Sequence, residues 1–229
     1  MPASQASALV EFSTCEISDA LIKLDIPHGG YIPDISMISA PTGGRICAPA
    51  YTVRMICASD TSAPKLSNHF VDTAPAGSII FIDAPPECKN AVWGGLMSAG
   101  AQARSAVGVV ISGRCRDLAE HRSLGFPVFA RGHSTLGQSP FTRPSEVNVP
   151  LLIRPQGDDS LGGNAFPAIT VEPGDWVVAD EDGVVCVPSD LEVQVIERAG
   201  RARAIDERCM GDIKAGKGIQ ASFKLHRGK

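Results

Sequence analysis

The 229-residue sequence has no long apolar run, no basic stretch and no closely paired cysteines. No apolar run approaches the roughly 18–20 residues of a membrane-spanning helix, so no membrane association is expected. Lysine and arginine occur only singly or in pairs and the net charge is −4, so no nucleic-acid partner is expected. The first residues lack both a basic start and a long apolar stretch, which predicts a cytoplasmic protein that is not secreted.

The seven cysteines also exclude several classes of site. They form no C-x-x-C pair, so zinc knuckles and thioredoxin-like redox sites are not expected. Cys115 lies between Arg114 and Arg116, where neighbouring cations favour a thiolate. No histidine with a third orienting group can be assigned to this thiol, so we do not expect a cysteine nucleophile.

The sequence is organised around residues 107–132, which read as strand, glycine turn, short helix and second strand. The apolar run at 107–111 is typical of a strand buried on both faces. Arg116 and Asp117 follow this strand, and the carboxyl end of a buried strand is where α/β folds tend to place their chemistry. An ion pair that caps the following helix is the alternative interpretation.

The rest of the chain predicts one α/β domain over 1–229. Helical patterns occur at 7–25 in two pieces (capped by Thr14 or Ser18), weakly at 59–73, and at 90–106. Strands are predicted at 45–57, 78–84, 147–154, 168–171, 176–179 and 183–188. Gly94 and Gly95 alternatively mark a loop or helix start that lies close to a packed strand or a bound anion.

Three further segments complete the predicted organisation. Residues 133–146 are polar and contain two prolines, which indicates a long loop of the kind that forms lids or oligomer arms. The acidic 180–183 segment is interpreted as a β-turn, because it lacks the alternating acids of a calcium loop. Residues 189–229 predict a terminal helical arm in which Ser189 or Asp190 caps a helix that ends at Gly211, followed by a basic tail.

Four motifs together resemble the RraA-like family: ISDAL (17–21), GGLMSAGA (94–101), VISGRCRDLAEHRSLGFPVFARG (110–132) and VEPGDWVVADEDGVVCVP (171–188). That family groups class II 4-hydroxy-4-methyl-2-oxoglutarate aldolases with relatives named as RNase E regulators. The resemblance implies an α/β/α swivelling sandwich, assembled as a homotrimer or as a hexamer of two trimers with sites near subunit boundaries.

The resemblance also implies an activity. Aldolases of this family use Mg²⁺ or Mn²⁺ to cleave a small 4-hydroxy-2-oxoacid to pyruvate and a second oxoacid, and many decarboxylate oxaloacetate through the same pyruvate enolate. Carried over residue by residue, Arg116 matches the arginine that binds the oxoacid carboxylate and steadies the enolate, and Asp117 matches the metal-binding aspartate. The substrate-binding helix start matches Gly94, Gly95, Leu96 and Met97.

The sequence departs from the family pattern at one position. Metal-dependent members carry a second aspartate in a Gly-Asp-Leu context, where this chain has Gly95. Mg²⁺ commonly binds one or two carboxylates plus several waters, so this change is expected to weaken metal binding rather than to abolish it. Three residues could substitute for the missing acid: Glu87, Glu120 and His121. Glu120 and His121 lie three and four residues after Asp117, so they share a helical face with it if that helix forms.

Three functions remain open from the sequence. The first is a metal-assisted carbon–carbon lyase that acts on a small oxoacid. The second is a metal-independent enzyme of the same fold in which Gly95 widens the site for a larger, secondary-metabolite substrate. The third is a non-catalytic regulator that acts through protein–protein contact, as the regulator members of the family suggest.

Overall fold

The computed structural model describes residues 7–157 and 166–228. Its strands are β1 (Ser36–Ser39), β2 (Ile46–Cys57), β3 (Ile79–Asp83), β4 (Gly108–Cys115), β5 (Val128–His133), β6 (Thr142–Val147), β7 (Leu151–Ile153), β8 (Ile169–Val171), β9 (Trp176–Asp180) and β10 (Gly183–Val187). Its helices are α1 (Thr14–Ile22), α2 (Gly95–Ala103), α3 (Leu118–Leu124), α4 (Glu192–Lys214) and α5 (Ile219–Arg227), with 3₁₀ turns at Ala8–Glu11 and Ser189–Leu191.

The main sheet has the order β1-β5-β4-β3-β2-β9-β10, and β6 also pairs with β2. Strands β2, β3, β4 and β5 run parallel to one another, so their carboxyl ends share one edge. The Ile32 amide donates to the Val184 carbonyl at 2.9 Å, which brings the chain before β1 against β10. The sheet is therefore nearly closed, and the expected α/β class is confirmed.

Burial on both faces explains why the first four residues of β3 and residues 109–111 of β4 are apolar. On one face, Phe81, Val110 and Phe129 pack with the β7–β8 hairpin. The opposite face packs against α2 and α3 around Trp93 and Phe126. Helices α1 and α4 cover the outer side of β9 and β10. The two helices α2 and α3 therefore begin at the same sheet edge, above the ends of β3 and β4.

Several sequence-based boundaries are corrected by the structure. Residues 59–73 form turns rather than a helix, and the predicted 133–146 loop ends in β6. The helix expected at 90–106 begins only at Gly95, because residues 92–93 are hydrogen-bonded alongside the end of β4. The interpretation of Gly94 and Gly95 as a helix start is thus correct.

The helical arm is present but differs in detail from the prediction. Neither Ser189 nor Asp190 caps α4 with its side chain. The helix continues through Gly211 to Lys214, and the expected basic tail contains the further helix α5.

At the other end of the chain Ser13, rather than Thr14 or Ser18, caps α1 in a reciprocal pair with Glu16. No helix in the described part of the chain is long and apolar enough to cross a membrane.

Candidate active site

The site lies where β4 ends and the chain turns into α3. The Val92 amide donates to the Arg114 carbonyl and the Arg116 amide donates to the Trp93 carbonyl, each at 2.9 Å. These two bonds align residues 92–93 with the end of β4 and bring the start of α2 beside Arg116 and Asp117. The strand-end position that the sequence predicted therefore lies against the predicted glycine-rich helix start.

Asp117 connects the starts of two helices. Its backbone is in the left-handed region (φ 60°, ψ 43°), and its side chain does not cap α3. Instead, Oδ2 accepts a hydrogen bond from the Gly95 amide at 3.0 Å and lies 3.3 Å from Nε of Arg116. The interpretation of the ion pair as a side-chain cap of the following helix is therefore wrong.

The Arg116–Asp117 pair remains open to solvent. The Arg116 side chain is 45% exposed and that of Asp117 is 32% exposed. Exposed ion pairs contribute roughly 0–1 kcal/mol to stability. Stability alone is therefore a weak reason for this pair. Among the residues that the structure describes, the guanidinium is paired only with Asp117, so it keeps donors for a ligand.

A cavity of about 140 Å³, here called the Arg116 cleft, borders this pair. Its size is below the roughly 300–1,000 Å³ of sites for drug-sized ligands, which favours a small ligand. The residues that line it are His69, Ala91, Val92, Trp93, Gly94, Leu96, Met97, Arg116, Asp117 and Gln138. Five of the six predicted site residues thus line one cleft, and Gly95 is the one that does not.

Sequence reasoning missed two polar residues of the cleft, His69 and Gln138. His69 lies in the 59–73 segment, and its ring stacks on Phe70 at 4.8 Å between centroids. Gln138 lies in the turn between β5 and β6. Neither residue belongs to a recognisable motif, and only the folding of these turns over the strand ends brings them to the cleft.

The glycines at the start of α2 are required by space. A Cβ built on Gly94 would lie 2.5 Å from Oδ2 of Asp117. A Cβ built on Gly95 would lie 1.6 Å from Oε2 of Glu120. The carboxylate of Glu120 therefore occupies the space that a side chain at position 95 would need.

The first turn of α2 offers one free amide. The Met97 amide donates to the Gly94 carbonyl at 3.0 Å, and the Gly95 amide is bound to Asp117. Within residues 7–157 and 166–228 the Leu96 amide has no hydrogen-bond partner. Since helix N-termini favour anions, Leu96 rather than Met97 is the backbone donor available to a carboxylate.

His121 is buried beneath the site. Nε1 of Trp93 donates to Oγ of Ser98 at 2.8 Å, and that oxygen lies 2.9 Å from Nδ1 of His121. The histidine is fully buried, and burial lowers its pKa, opposed by a backbone bond at Arg116. Within residues 7–157 and 166–228 its Nε2 has no hydrogen-bond partner, and the ring does not line the Arg116 cleft. The enclosed imidazole, bonded to Ser98 through Nδ1, therefore supports the helix packing beneath the site.

The other candidates of the sequence lie apart from the cleft. Glu87 groups with Cys57 and Cys88, their ligand atoms all lying within 4.8 Å of one another, and it does not line the Arg116 cleft. Cys115 is buried, and burial raises the pKa of its thiol to about 11. The expectation that this thiolate is stabilised by its arginine neighbours is therefore wrong.

Residues after β5 form a second wall of the site. His133, Ser134 and Thr135 line a second groove that also borders Arg116 and Asp117. The Ser134 amide donates to the Cys115 carbonyl at 2.9 Å, which holds this segment against the end of β4. The ion pair is thus accessible from two sides.

Comparison with known families agrees with this geometry. A model of the RraA-like family, described as Aldolase/RraA, matches residues 14–186. This range begins at the first residue of α1 and ends within β10. It therefore includes the main sheet up to Cys186 and every residue of the Arg116 cleft.

Individual relatives are similar at moderate identity. Protein DlpA of Legionella pneumophila is 28% identical over 214 residues, covering 93% of this chain and 32% of the relative, so the chain spans about a third of that protein. A Halalkalibacterium halodurans protein, provisionally named 4-hydroxy-4-methyl-2-oxoglutarate aldolase, is 31% identical over 163 residues (71% and 69% coverage). A Thermus thermophilus protein that carries this name without qualification is 28% identical over 179 residues (78% and 94% coverage).

Solved structures share the fold. An uncharacterised Pseudomonas syringae protein superimposes with a TM-score of 0.75 at 28% identity, covering 93% of this chain and 94% of the other. A Streptomyces coelicolor member of the RNase ES inhibitor RraA family gives a TM-score of 0.74 at 21% identity, covering 90% and 97%. Because its identity to this chain is only 21%, the second structure supports the fold alone.

Proposed function

The chain belongs to the RraA-like family, and we propose that it is a divalent-metal-dependent lyase that cleaves a small 4-hydroxy-2-oxoacid to pyruvate and a second oxoacid. Oxaloacetate decarboxylation at the same site is part of the proposal, because both reactions pass through pyruvate enolate. The observation that carries it is the juxtaposition of Arg116, Asp117 and the free Leu96 amide in one small cleft. Aldolase names among the relatives support the family-level activity.

Arg116 has the chemistry to bind and stabilise the substrate. A guanidinium is planar and always charged, so it can grip a carboxylate through two parallel hydrogen bonds. The same cation beside the reacting carbonyl stabilises the negative charge that develops on the oxygen as the carbon–carbon bond breaks. The Leu96 amide, at the positive end of α2, supplies a second donor for the substrate carboxylate.

The residues present fit a divalent cation. Asp117 has one oxygen engaged by Gly95 and Arg116, which leaves the other oxygen as a ligand. The space that a Cβ at Gly95 would fill holds a second carboxylate oxygen, from Glu120. Mg²⁺ or Mn²⁺ bound there would act as a Lewis acid that polarises the pyruvyl oxygen.

The alternative of a widened site for a larger substrate is weakened by the same contact. Replacement of an acid by Gly95 leaves no open space, because the Glu120 carboxylate fills it. A non-catalytic regulator needs neither an exposed Arg116 nor a free helix-start amide, so no observation favours that function over the lyase.

The assembly that we propose is a homotrimer, or a hexamer of two trimers, with the Arg116 cleft near a subunit boundary. Leu96 supports this proposal, because its side chain is 82% exposed at the cleft and is the most exposed of the large hydrophobic residues described. A second chain that covered Leu96 would remove this apolar side chain from water, which is favourable. Analytical ultracentrifugation tests the proposal, and a monomer at micromolar concentration would contradict it.

The activity is tested by pyruvate release from oxaloacetate and from 4-hydroxy-4-methyl-2-oxoglutarate, with Mn²⁺ and with EDTA. We expect turnover with Mn²⁺ that EDTA abolishes. Arg116→Lys keeps the charge but loses the planar fork, so kcat/KM should fall by about 10²-fold. Arg122→Lys, on the exposed side of α3, is the matched control and should leave kcat/KM unchanged. Turnover that survives EDTA would support the metal-independent enzyme, and no turnover of either substrate would overturn the lyase.

A further inference from the structure

Two thiols and a carboxylate converge where β2 ends and the chain leaves β3. The ligand atoms of Cys57, Glu87 and Cys88 all lie within 4.8 Å of one another. In the part of the chain that the structure describes, no other set of three or more histidine, cysteine or acidic side chains is this close. From this convergence we infer that Cys57, Glu87 and Cys88 form a binding site for a thiophilic divalent cation such as Zn²⁺, separate from the Arg116 cleft.

The fold brings these three groups together. Strands β2 and β3 are parallel neighbours, so the chain continues past both strand ends at the same edge of the sheet. Cys57 is the last residue of β2 and pairs with Thr142 of β6. The Cys88 amide donates to the Pro85 carbonyl at 3.1 Å, which closes a turn that contains Glu87. Backbone pairing and a turn therefore position ligands that no short sequence motif connects.

The donor atoms select the kind of cation. Thiolate sulfur is a soft ligand that suits Zn²⁺, whereas Mg²⁺ and Mn²⁺ prefer oxygen. In tetrahedral coordination with bonds of about 2.3 Å to sulfur and about 2.0–2.2 Å to oxygen, neighbouring ligand atoms are roughly 3.5–3.8 Å apart. Sγ of Cys57 donates a hydrogen bond to Oε1 of Glu87 at 3.8 Å, a separation that matches this spacing. Three protein ligands leave a fourth position for water, which suits the exposed Glu87.

The electrostatics of the group also favour a cation. Burial, and after it the neighbouring Cys57 and Glu87, raises the pKa of the Cys88 thiol to about 11. Within residues 7–157 and 166–228, Glu87 makes no ion pair with a basic side chain. A bound cation would supply the missing positive charge, and each thiol would release its proton to the solvent as it becomes a ligand.

A cation at this position would stabilise one wall of the Arg116 cleft. Residues 91–93 line the cleft and follow Cys88 after two residues. Nδ2 of the buried Asn90 donates to Oγ1 of Thr142 at 2.8 Å, which already connects this segment to β6. The cation would add a connection from Cys88 to the end of β2. The inference itself does not depend on the proposed function.

The test measures Co²⁺ binding, because Co²⁺ binds the same donor atoms as Zn²⁺ but more weakly. Thiolate ligands give Co²⁺ an intense charge-transfer absorption in the near ultraviolet, whereas oxygen ligands such as Asp117 do not. The full chain, reduced and freed of metal, is titrated with Co²⁺ at micromolar concentration. We expect this absorption to saturate at about one Co²⁺ per chain, and Zn²⁺ should then remove it.

Substitution of the ligands identifies the site. Cys57→Ser and Cys88→Ser should each lose at least about half of the absorption. Both should weaken Zn²⁺ binding by at least about 10²-fold, since even the loss of an outer-shell partner costs roughly 10–100-fold. Glu87→Gln should weaken it about tenfold. Cys15→Ser, which removes an exposed thiol of α1, and Glu181→Gln, in the exposed β9–β10 turn, are the matched controls and should bind both metals as the wild type does.

Cys88→His separates a ligand from a structural thiol. Histidine also binds Zn²⁺ and Co²⁺, so this variant should still hold Co²⁺ while the charge-transfer absorption falls by about half. Circular dichroism and urea unfolding of the metal-free variants check that each one folds as the wild type does.

Three results would overturn the inference. One is a reduced wild-type chain that shows no thiolate-to-cobalt absorption, even if it binds Co²⁺ through oxygen ligands. Another is an absorption that persists unchanged in Cys57→Ser and Cys88→Ser, which would place the cation at other thiols. The third is a Cys57–Cys88 disulfide that forms in air in a chain whose reduced thiols bind no Co²⁺, which would assign the pair to redox chemistry instead.

Discussion

The backbone amide of Gly95 donates a hydrogen bond to Oδ2 of Asp117 across 3.0 Å. This bond joins the first residue of α2 to the residue that precedes α3, and the same oxygen lies 3.3 Å from Nε of Arg116. The orientation of the aspartate is therefore fixed by a backbone donor that any residue except proline would supply at position 95. The second oxygen of Asp117 is left for a ligand.

Asp117→Asn should remove activity and leave the fold intact. Asparagine tolerates the left-handed backbone at this position and keeps an oxygen for the Gly95 amide, but it carries no charge. We expect the free energy of unfolding to change by less than about 0.5 kcal/mol and Mn²⁺-dependent pyruvate release to fall by at least about 10²-fold. Asp117→Ala, which lacks the left-handed tolerance, should in addition lose about 1 kcal/mol. Wild-type turnover in Asp117→Asn would show that the charge is not needed.

Ser98→Ala should destabilise the support beneath the cleft. Ser98 is fully buried and bonds both Trp93 and His121, at 2.8 and 2.9 Å. Its removal leaves two buried polar groups without their partner, each at roughly 1–3 kcal/mol. We expect urea unfolding to show a loss of about 2–4 kcal/mol. Ser123→Ala, exposed on α3, is the control, and equal stability of the two variants would contradict this role for Ser98.

Asp83→Asn should change how stability depends on pH. Burial raises the pKa of Asp83 from 3.8 to about 6, against the opposing effects of Ser112, Arg131, Arg54 and Arg154. The folded chain therefore binds this proton more tightly than the unfolded chain does. The resulting stabilisation is complete below pH 3.8 and is lost as the pH rises through 6.

Asparagine does not titrate, so only the wild type loses this stabilisation as the pH rises. The free energy of unfolding of Asp83→Asn minus that of the wild type should therefore increase by about 2–3 kcal/mol between pH 4 and pH 7. Urea unfolding across this range measures the difference. Asp72→Asn, at an exposed carboxylate, provides the control and should follow the wild-type curve. A wild-type curve parallel to that of Asp83→Asn would mean that the folded-state pKa of Asp83 is not raised.

Glu16→Gln should loosen the packing of the helical arm. Glu16 accepts hydrogen bonds from Nε and Nη2 of Arg203 at 2.6 and 2.7 Å, which join α1 to α4. Arg203, and after it the bonds from Ser13, lower the pKa of Glu16 to about 2. The stabilisation is therefore present above pH 4.5 and is lost as the pH falls through 2.

At pH 7 we expect Glu16→Gln to lose about 1–2 kcal/mol, a value reduced for solvent screening of this partly exposed pair. The loss should shrink as the pH falls below 4.5. Glu197→Gln is the matched control, because its pair with Arg201 is far more exposed, at 60% and 78% of the side chains. Its removal should change the unfolding free energy by less than about 0.5 kcal/mol. Equal effects of the two substitutions would argue against a specific α1–α4 contact.

Local hydrophobicity patterns in the sequence predicted the strands whose two faces are both buried. A strand segment that is buried on both faces must be apolar, so the apolar parts of β3 and β4 could be recognised from a short window. The 59–73 segment was misassigned because weak helical spacing carries little free energy, and tertiary packing holds the segment in turns instead. The end of α4 was misplaced because one glycine costs a helix only about 1 kcal/mol, and Gly211 lies within a helix that continues on both sides.

The sequence by itself determined that Arg116 and Asp117 stand together at the end of a buried strand, because their order and the apolar run before them are local properties. It also showed that position 95 lacks an acid. Only the tertiary structure decided which residue fills that place. Glu120 is distant from Gly95 along the chain, and the two meet because the parallel pairing of β3 with β4 and the packing of α2 against α3 bring both helix starts to one sheet edge.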